Sequence, residues 1–414
     1  MEKKIDRKLR VGYVGYGRRG YGGGLLGGFL RMEDVDVVAV CDLDPDKCQR
    51  AADKVKEKKG YTPFMTTNYK ELFDQNLDAL VNGCGWESHI NIAIDSMNAG
   101  VPIGFEVGGA YSIEEVWDLV RTHERTGVPC MMLTNVRYMK KEMALVNMVR
   151  QGVFGKVVHC DGGYCHDMCE SMIFQEYYRL GNYKVRNADT YPCHALGPIM
   201  SILDINRGNK MVSLSSVASC AAGINEFVRE ECGHDHPLAD YPFAQGDIVT
   251  TTIKCARGET ITLRLDTSLP RPYSRRFEIH GTKGMYAEDG NFIYLRDDHK
   301  GLGESPKELY NNADEYVEKY NHRIWAAKDE AKGNMFASGH GGSDAMLYGA
   351  FIESVKHGYP MPTDIYDTAI LMCITTLSEQ SIAMGGAPVA VPDFTKGAYI
   401  KRKHITPEEN PWAI

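Results

Sequence analysis

An apolar run at residues 11–14 passes directly into Gly15-Tyr16-Gly17-Arg18-Arg19-Gly20, and a carboxylate, Asp42, closes a second apolar run at residues 37–41. That order constrains the chain to a strand, a tight turn and a helix packed beside a second parallel strand. Gly15 suits the tight turn, Gly17 lets backbone N–H groups approach a pyrophosphate, and Gly20 lets helix and strand pack closely. Asp42 stands about 20 residues beyond the glycines, where a carboxylate accepts both ribose hydroxyls and repels a 2′-phosphate. The expected cofactor is therefore NAD rather than NADP. Arg18 and Arg19 border the loop and join the expected cofactor contacts, although either cation also suits a phosphate.

The rhythm continues as alternating strand and helix: a helix at 47–59, a strand at 77–82, a helix at 89–99, a strand at 103–105 and a strand at 130–133. A helix between these last two, residues 112–125, carries Ser112 with Glu115 three positions on, a capping-box signature. This βαβ pattern predicts an N-terminal Rossmann dinucleotide-binding domain over residues 1–135. Beyond it the strands are longer and alternate, at 156–164, 211–218, 247–255, 259–266, 276–280 and 292–295, with turn residues at Gly258 and Gly281-Thr282-Lys283-Gly284. The fold class is α/β, with a C-terminal α/β domain at 136–414 built on an open, mixed, largely antiparallel sheet. Helices at 143–151, 197–203, 344–356 and 364–384 are expected to cover one face of that sheet. The glycines at 22–24 and 27–28 read as loosening the first loop and helix.

At 414 residues with 43% hydrophobic and 25% charged residues, the chain has material for two globular cores. A net charge of −8 without a long basic run argues against nucleic acid as a partner. No stretch approaches a membrane span. The first ten residues are charged and lack an apolar core, so a cytoplasmic protein with its twelve cysteines reduced is expected. Cys232-Gly-His234-Asp235-His236 and the Cys165/Cys169 pair hold ligand types without the spacing of a closed zinc site, and no metal is expected.

Four polar clusters beyond the nucleotide domain are candidates to meet a substrate: Tyr164-Cys165-His166-Asp167, Tyr191-Pro192-Cys193-His194, Arg271-Pro272-Tyr273-Ser274-Arg275 and His340-Gly341-Gly342-Ser343-Asp344. Tyr164 and His166 share a strand face, and Tyr191 and His194 share one side of a helical turn.

These clusters and the glycine fingerprint resemble the Gfo/Idh/MocA oxidoreductase superfamily and, within it, glycoside hydrolase family 109. The specific stretches are Leu145-Val-Asn-Met-Val-Arg-Gln-Gly-Val-Phe-Gly155, Tyr191-Pro-Cys-His-Ala-Leu-Gly-Pro198, Asp204-Ile-Asn-Arg-Gly208, Asp266-Thr-Ser-Leu-Pro-Arg-Pro-Tyr-Ser-Arg275 and His340-Gly-Gly-Ser-Asp344. The resemblance implies a redox-neutral hydrolysis of a small glycoside, an α-N-acetylgalactosaminide in the family's pattern. Held NAD oxidises the sugar 3-hydroxyl, the C2 proton is removed, the C1 substituent leaves by elimination, water adds, and the hydride returns. It places Tyr164 as the C2 base with His166 beside it, His194 at the 3-hydroxyl proton, and Arg179, Tyr191 and Tyr273 in the sugar pocket. We further expect Trp86, His89 and Glu106 to border the cofactor, and Glu106 and Thr134 to face substrate.

Two positions depart from the family pattern. Glu106-Val107-Gly108 stands where many of the superfamily's dehydrogenases carry Glu-Lys-Pro, and Thr134 stands where the glycosidases usually place Glu before Asn135. Two other readings stay open on the sequence: a sugar 3-dehydrogenase that releases a keto sugar, and a non-catalytic NAD-bound regulatory protein. An open sheet face is commonly buried by a second copy, so a homodimer or homotetramer is expected.

Overall fold

The computed structural model describes residues 4–17, 24–175, 178–300, 304–331 and 340–414. The chain divides into two compact units, the first made of Met1–Met139, Arg323–Ile370 and His404–Ile414, the second of Lys140–His322 and Leu371–Lys403. A single cut near residue 135 therefore misses two later passages of the chain through the first unit.

The first unit is built on six strands, β1 (Leu9–Val14), β2 (Val35–Cys41), β3 (Phe64–Thr66), β4 (Ala79–Asn82), β5 (Ile103–Phe105) and β6 (Cys130–Met132). They lie in the order β3-β2-β1-β4-β5-β6 with every pair parallel. This is the doubly wound order that follows from right-handed βαβ crossovers on both faces. Leu9 and Val11 of β1 and Ala79, Leu80 and Val81 of β4 are fully buried, as strands covered on both faces require. Ser112 caps the helix Ile113–Thr126 through the expected capping box with Glu115.

The later passages attach to this sheet through specific contacts. Thr368 Oγ1 accepts from the amide of Met132 at the end of β6. Arg137 reaches Thr363 and Asp367 with both partners buried, and Trp325 donates to the carbonyl of Tyr138. The helix Ser343–His357, expected over the second sheet, instead presents Tyr348 to Phe29 at a ring-centroid distance of 4.8 Å. A Cβ on Gly28 would overlap the Tyr348 ring. Gly28 is thus required by close packing, correcting the view that it only loosens the helix, while Gly22 and Gly23 lie outside the described residues.

The second unit holds eight strands: β7 (Val157–Cys165), β8 (Met211–Ala218), β9 (Ile248–Cys255), β10 (Thr260–Asp266), β11 (Glu278–Gly281), β12 (Gly284–Ala287), β13 (Phe292–Leu295) and β14 (Val389–Ala390). Their order is β13-β12-β11-β7-β10-β9-β8-β14. Among the described residues only β7 and β10 pair in parallel, so the sheet is mixed and largely antiparallel. Its inner face carries Cys160, Ile253, Ile261, Leu263 and Ile279, all fully or almost fully buried. The helix Cys193–Ile202 packs on this face so closely that a Cβ on Gly162 of β7 would meet the Ala195 Cβ at 2.8 Å. Among the described residues no helix is long and apolar enough to cross a membrane, and all twelve cysteines are free thiols.

Candidate active site

In the first unit, β1 ends at Val14 and the chain turns at Gly15 with φ +89°, a region that favours glycine. A Cβ there would meet the Cys84 backbone nitrogen at 2.5 Å, so the turn excludes every side chain. Gly17 has nothing within 4 Å of such a Cβ among the described residues, which leaves room on the loop for a pyrophosphate. Asp42 follows β2 and braces the same loop: Oδ2 accepts from the amide of Tyr16 at 2.6 Å and Oδ1 from that of Asp44 at 3.0 Å. A carboxylate has about four lone-pair positions, so acceptor capacity remains for a ribose. The glycine cradle and the acid fit a dinucleotide. Arg18, Arg19 and Gly20 lie outside the described residues.

Around the carboxyl end of β4 and β5 the remaining expected cofactor residues are buried. Trp86 is packed against Gly108, where a Cβ would meet its ring at 2.5 Å. His89 donates from Nε2 to the Cys84 carbonyl at 3.1 Å, and burial pushes its pKa down to about 4, so the imidazole is neutral. Glu106 takes up the carbonyl of Asn82 through its own amide. Thr134 is fully buried, with Oγ1 lacking a hydrogen-bond partner among the described residues. Beside it, Asn135 donates to Asp344 at 2.8 Å, and Asp344 faces His340 Nδ1 at 3.1 Å. The 340–344 cluster therefore belongs to the first unit rather than to the second domain.

The other three clusters meet in the second unit. Tyr164 projects from β7 towards the helical side, and its Oη lies 3.0 Å from His166 Nε2, just beyond the strand end. The Tyr164 ring stands 4.3 Å from Tyr191, 5.2 Å from His194 and 6.3 Å from Tyr273. Tyr191 precedes the helix Cys193–Ile202 and His194 lies in its first turn, so they meet at 4.7 Å across the helix entrance rather than along one helical face. Arg179 opens the helix Arg179–Val185, and its buried guanidinium sits 4.1 Å over the Tyr191 ring and 5.1 Å over that of Tyr164. The loop bearing Tyr273 is tied to β7 by reciprocal backbone bonds between Ser274 and Cys165, 2.8 and 3.1 Å long. Arg275, held by Glu142 and Glu288, fixes the base of that loop.

A cation over two phenol rings, two imidazoles and an exposed third tyrosine make a polar, aromatic-walled pocket of the kind that stacks on a sugar and moves its protons. A family model described as glycosyl hydrolase 109, C-terminal domain, matches residues 138–401. An alpha-N-acetylgalactosaminidase of Tannerella forsythia is 37% identical, the alignment covering 97% of this chain and 89% of the relative. A glycosyl hydrolase family 109 protein of Stenotrophomonas maltophilia is 38% identical over 96% of this chain and 92% of its own. The chain belongs to glycosyl hydrolase family 109. Its fold is also that of a levoglucosan dehydrogenase solved with NADH and levoglucosan, at a TM-score of 0.66 and 17% identity, covering 94% of this chain and all of that one. A myo-inositol 2-dehydrogenase from Lactobacillus plantarum matches with a TM-score of 0.62 and 18% identity, over 93% of this chain and all of its own. These likenesses show the fold.

One buried acid beside this pocket's motif escapes the motif reading. Asp189 is buried two positions before Tyr191, accepts from the Tyr191 amide, and burial pushes its pKa up to about 7. Its own amide donates to Ser378, and its carbonyl accepts from Thr375 on the helix Ile365–Ala383. The signal was an acid next to a quoted motif, but nothing local says that a helix from residues 365–383 encloses it.

Proposed function

We propose that this member of family 109 is an NAD-dependent glycosidase acting on an α-N-acetylgalactosaminide by oxidation and elimination. The observation that carries the reading is the convergence of Tyr164, His166, His194, Tyr191, Tyr273 and Arg179 in one pocket. The name of the Tannerella relative supplies the sugar class. Gly15, Gly17 and Asp42 hold NAD, with Trp86, His89 and Glu106 beside it. Bound NAD supplies the acceptor for a hydride from sugar C3 and its donor on return.

His194 takes the 3-hydroxyl proton as the alcohol becomes a ketone, a task suited to imidazole near neutral pH. The ketone makes the C2–H acidic. Tyr164 Oη removes that proton while the C1–O bond to the aglycone breaks and a C1–C2 double bond forms. Arg179 stabilises the negative charge passing through the phenol oxygen, and His166 exchanges its proton. Water then adds its hydroxyl at C1 while its proton passes to the aglycone oxygen, the proton held by Tyr164 returns to C2 and His194 returns one to O3, leaving free sugar and aglycone with no net oxidation. Glu106 and Thr134 are assigned to substrate orientation. Val107, standing where related dehydrogenases place a lysine donor, favours the glycosidase over a plain dehydrogenase.

The experiment is turnover of nitrophenyl N-acetylgalactosaminides in D₂O. Nitrophenol release with deuterium at C2 and no steady rise in NADH is the expected outcome, whereas NADH accumulating without aglycone release would make the protein a sugar dehydrogenase. The same reading places the enzyme in the cytoplasm, where its twelve thiols stay reduced, and pairs its open sheet face with a second copy in a dimer or tetramer.

A further inference from the structure

On the face of the second sheet opposite the helix Cys193–Ile202, β7 and β11 bring two histidines and two acids together. Glu278 is in register with Asp161, and His280 with His159. His280 Nε2 lies 3.1 Å from Glu278 Oε2 and 3.3 Å from Asp161 Oδ2. One donor atom each from Asp161, Glu278 and His280 fall within 4.8 Å of one another. All three are about one-third exposed in a single copy of the chain, before a second copy covers this sheet face.

We propose that Asp161, Glu278 and His280 form a binding site for a zinc-class divalent cation that clips β7 to β11, with water in the fourth position. Oxygen and imidazole ligands about 2.0–2.2 Å from a tetrahedral ion stand about 3.3–3.6 Å apart, close to the His280 separations. The surroundings are those of a ligand shell. His159 Nε2 contacts Asp161 Oδ2 at 3.0 Å, while its Nδ1 is fixed by Thr260 Oγ1 at 2.7 Å. The Thr260 contact settles which ring nitrogen faces the acid and so orients Asp161, as outer partners do around bound metals. All these groups come from one chain, so the site is complete without a partner copy.

Without the ion a proton does the same bridging. Hydrogen bonds to Asp161 and Glu278 push the His280 pKa up to about 9. Burial pushes the Asp161 carboxyl up, but the hydrogen bonds from His159 and His280 outweigh it and hold it below the usual range. The two ligand strands are separated by more than a hundred residues of sequence, beyond the reach of spacing motifs.

The test is calorimetric titration of the chelator-stripped, full-length protein with zinc, followed by cobalt(II) absorption spectra. One equivalent bound at micromolar zinc is expected, with a raised melting temperature and a tetrahedral cobalt band. Glu278→Gln, which keeps the side chain's shape, and His280→Ala should abolish both, and His159→Gln should weaken binding about 10–100-fold. His234→Ala with His236→Ala, in the other ligand-rich loop, should change nothing. Absence of saturable zinc binding, or binding that survives both Glu278→Gln and His280→Ala, would overturn the site and leave a proton-bridged cluster.

Discussion

Tyr164 is where residue chemistry is most exposed to test. Its Oη is held by His166 and its ring lies beneath Arg179, so Tyr164→Phe removes one oxygen and little packing. We expect kcat on a nitrophenyl glycoside to fall about 10²–10⁴-fold while NADH binding, followed by fluorescence, is unchanged. Undiminished turnover would take Tyr164 out of the mechanism. Asp189 bears instead on stability. An unfolded carboxyl ionises near pH 4, whereas the buried one keeps its proton to about 7. The native state then binds more protons in that window, so the group's contribution is complete below about pH 4 and is lost as pH rises through 7. Denaturant unfolding from pH 4 to 8 should show this loss, up to roughly 4 kcal/mol, and Asp189→Asn should flatten it. Tyr164, His166, Tyr191 and His194 were legible because their residue types cluster along the chain. Asp189 was not, because burial of a carboxyl is set by residues 375 and 378, far away in sequence.

At the scale of elements, periodicity located the strands and helices well where they are long. Met211–Ala218 falls on its expected bounds, and Pro45–Lys59 extends its expected helix by two residues. Phe64–Thr66, Gly284–Ala287 and Val389–Ala390 were missed, since so few residues barely display a period and gain their hydrogen bonds only from neighbouring strands, although the equally short Phe292–Leu295 was placed on its bounds. The helix Ser343–His357 was recognised but given to the wrong sheet, because an apolar face does not name its partner. The turn after β1 gives the sharpest element-level expectation. Gly15→Ala must hold φ +89° and press on the Cys84 backbone, so NAD affinity should drop at least tenfold, a loss of about 1.4 kcal/mol or more. Equal NADH titration curves for variant and wild type would show that the loop tolerates a side chain.

For the whole molecule, the open face of the eight-stranded sheet makes assembly measurable. Sedimentation velocity at micromolar protein should give a dimer or tetramer, and a monomer would end that expectation. The glycine fingerprint and the βαβ rhythm determined a parallel, doubly wound sheet, and strand alternation determined a second, mixed one, because both signals are local and repeat with the backbone's own period. Residue types alone also marked out the tyrosines and histidines of the pocket. Only the tertiary structure decided that residues 323–370 and 404–414 return to the first unit and that Arg179 lies over two tyrosine rings. It alone also brought Asp161 to Glu278 and His280. Those contacts join segments distant along the chain, and they depend on packing and strand register, which no local pattern encodes.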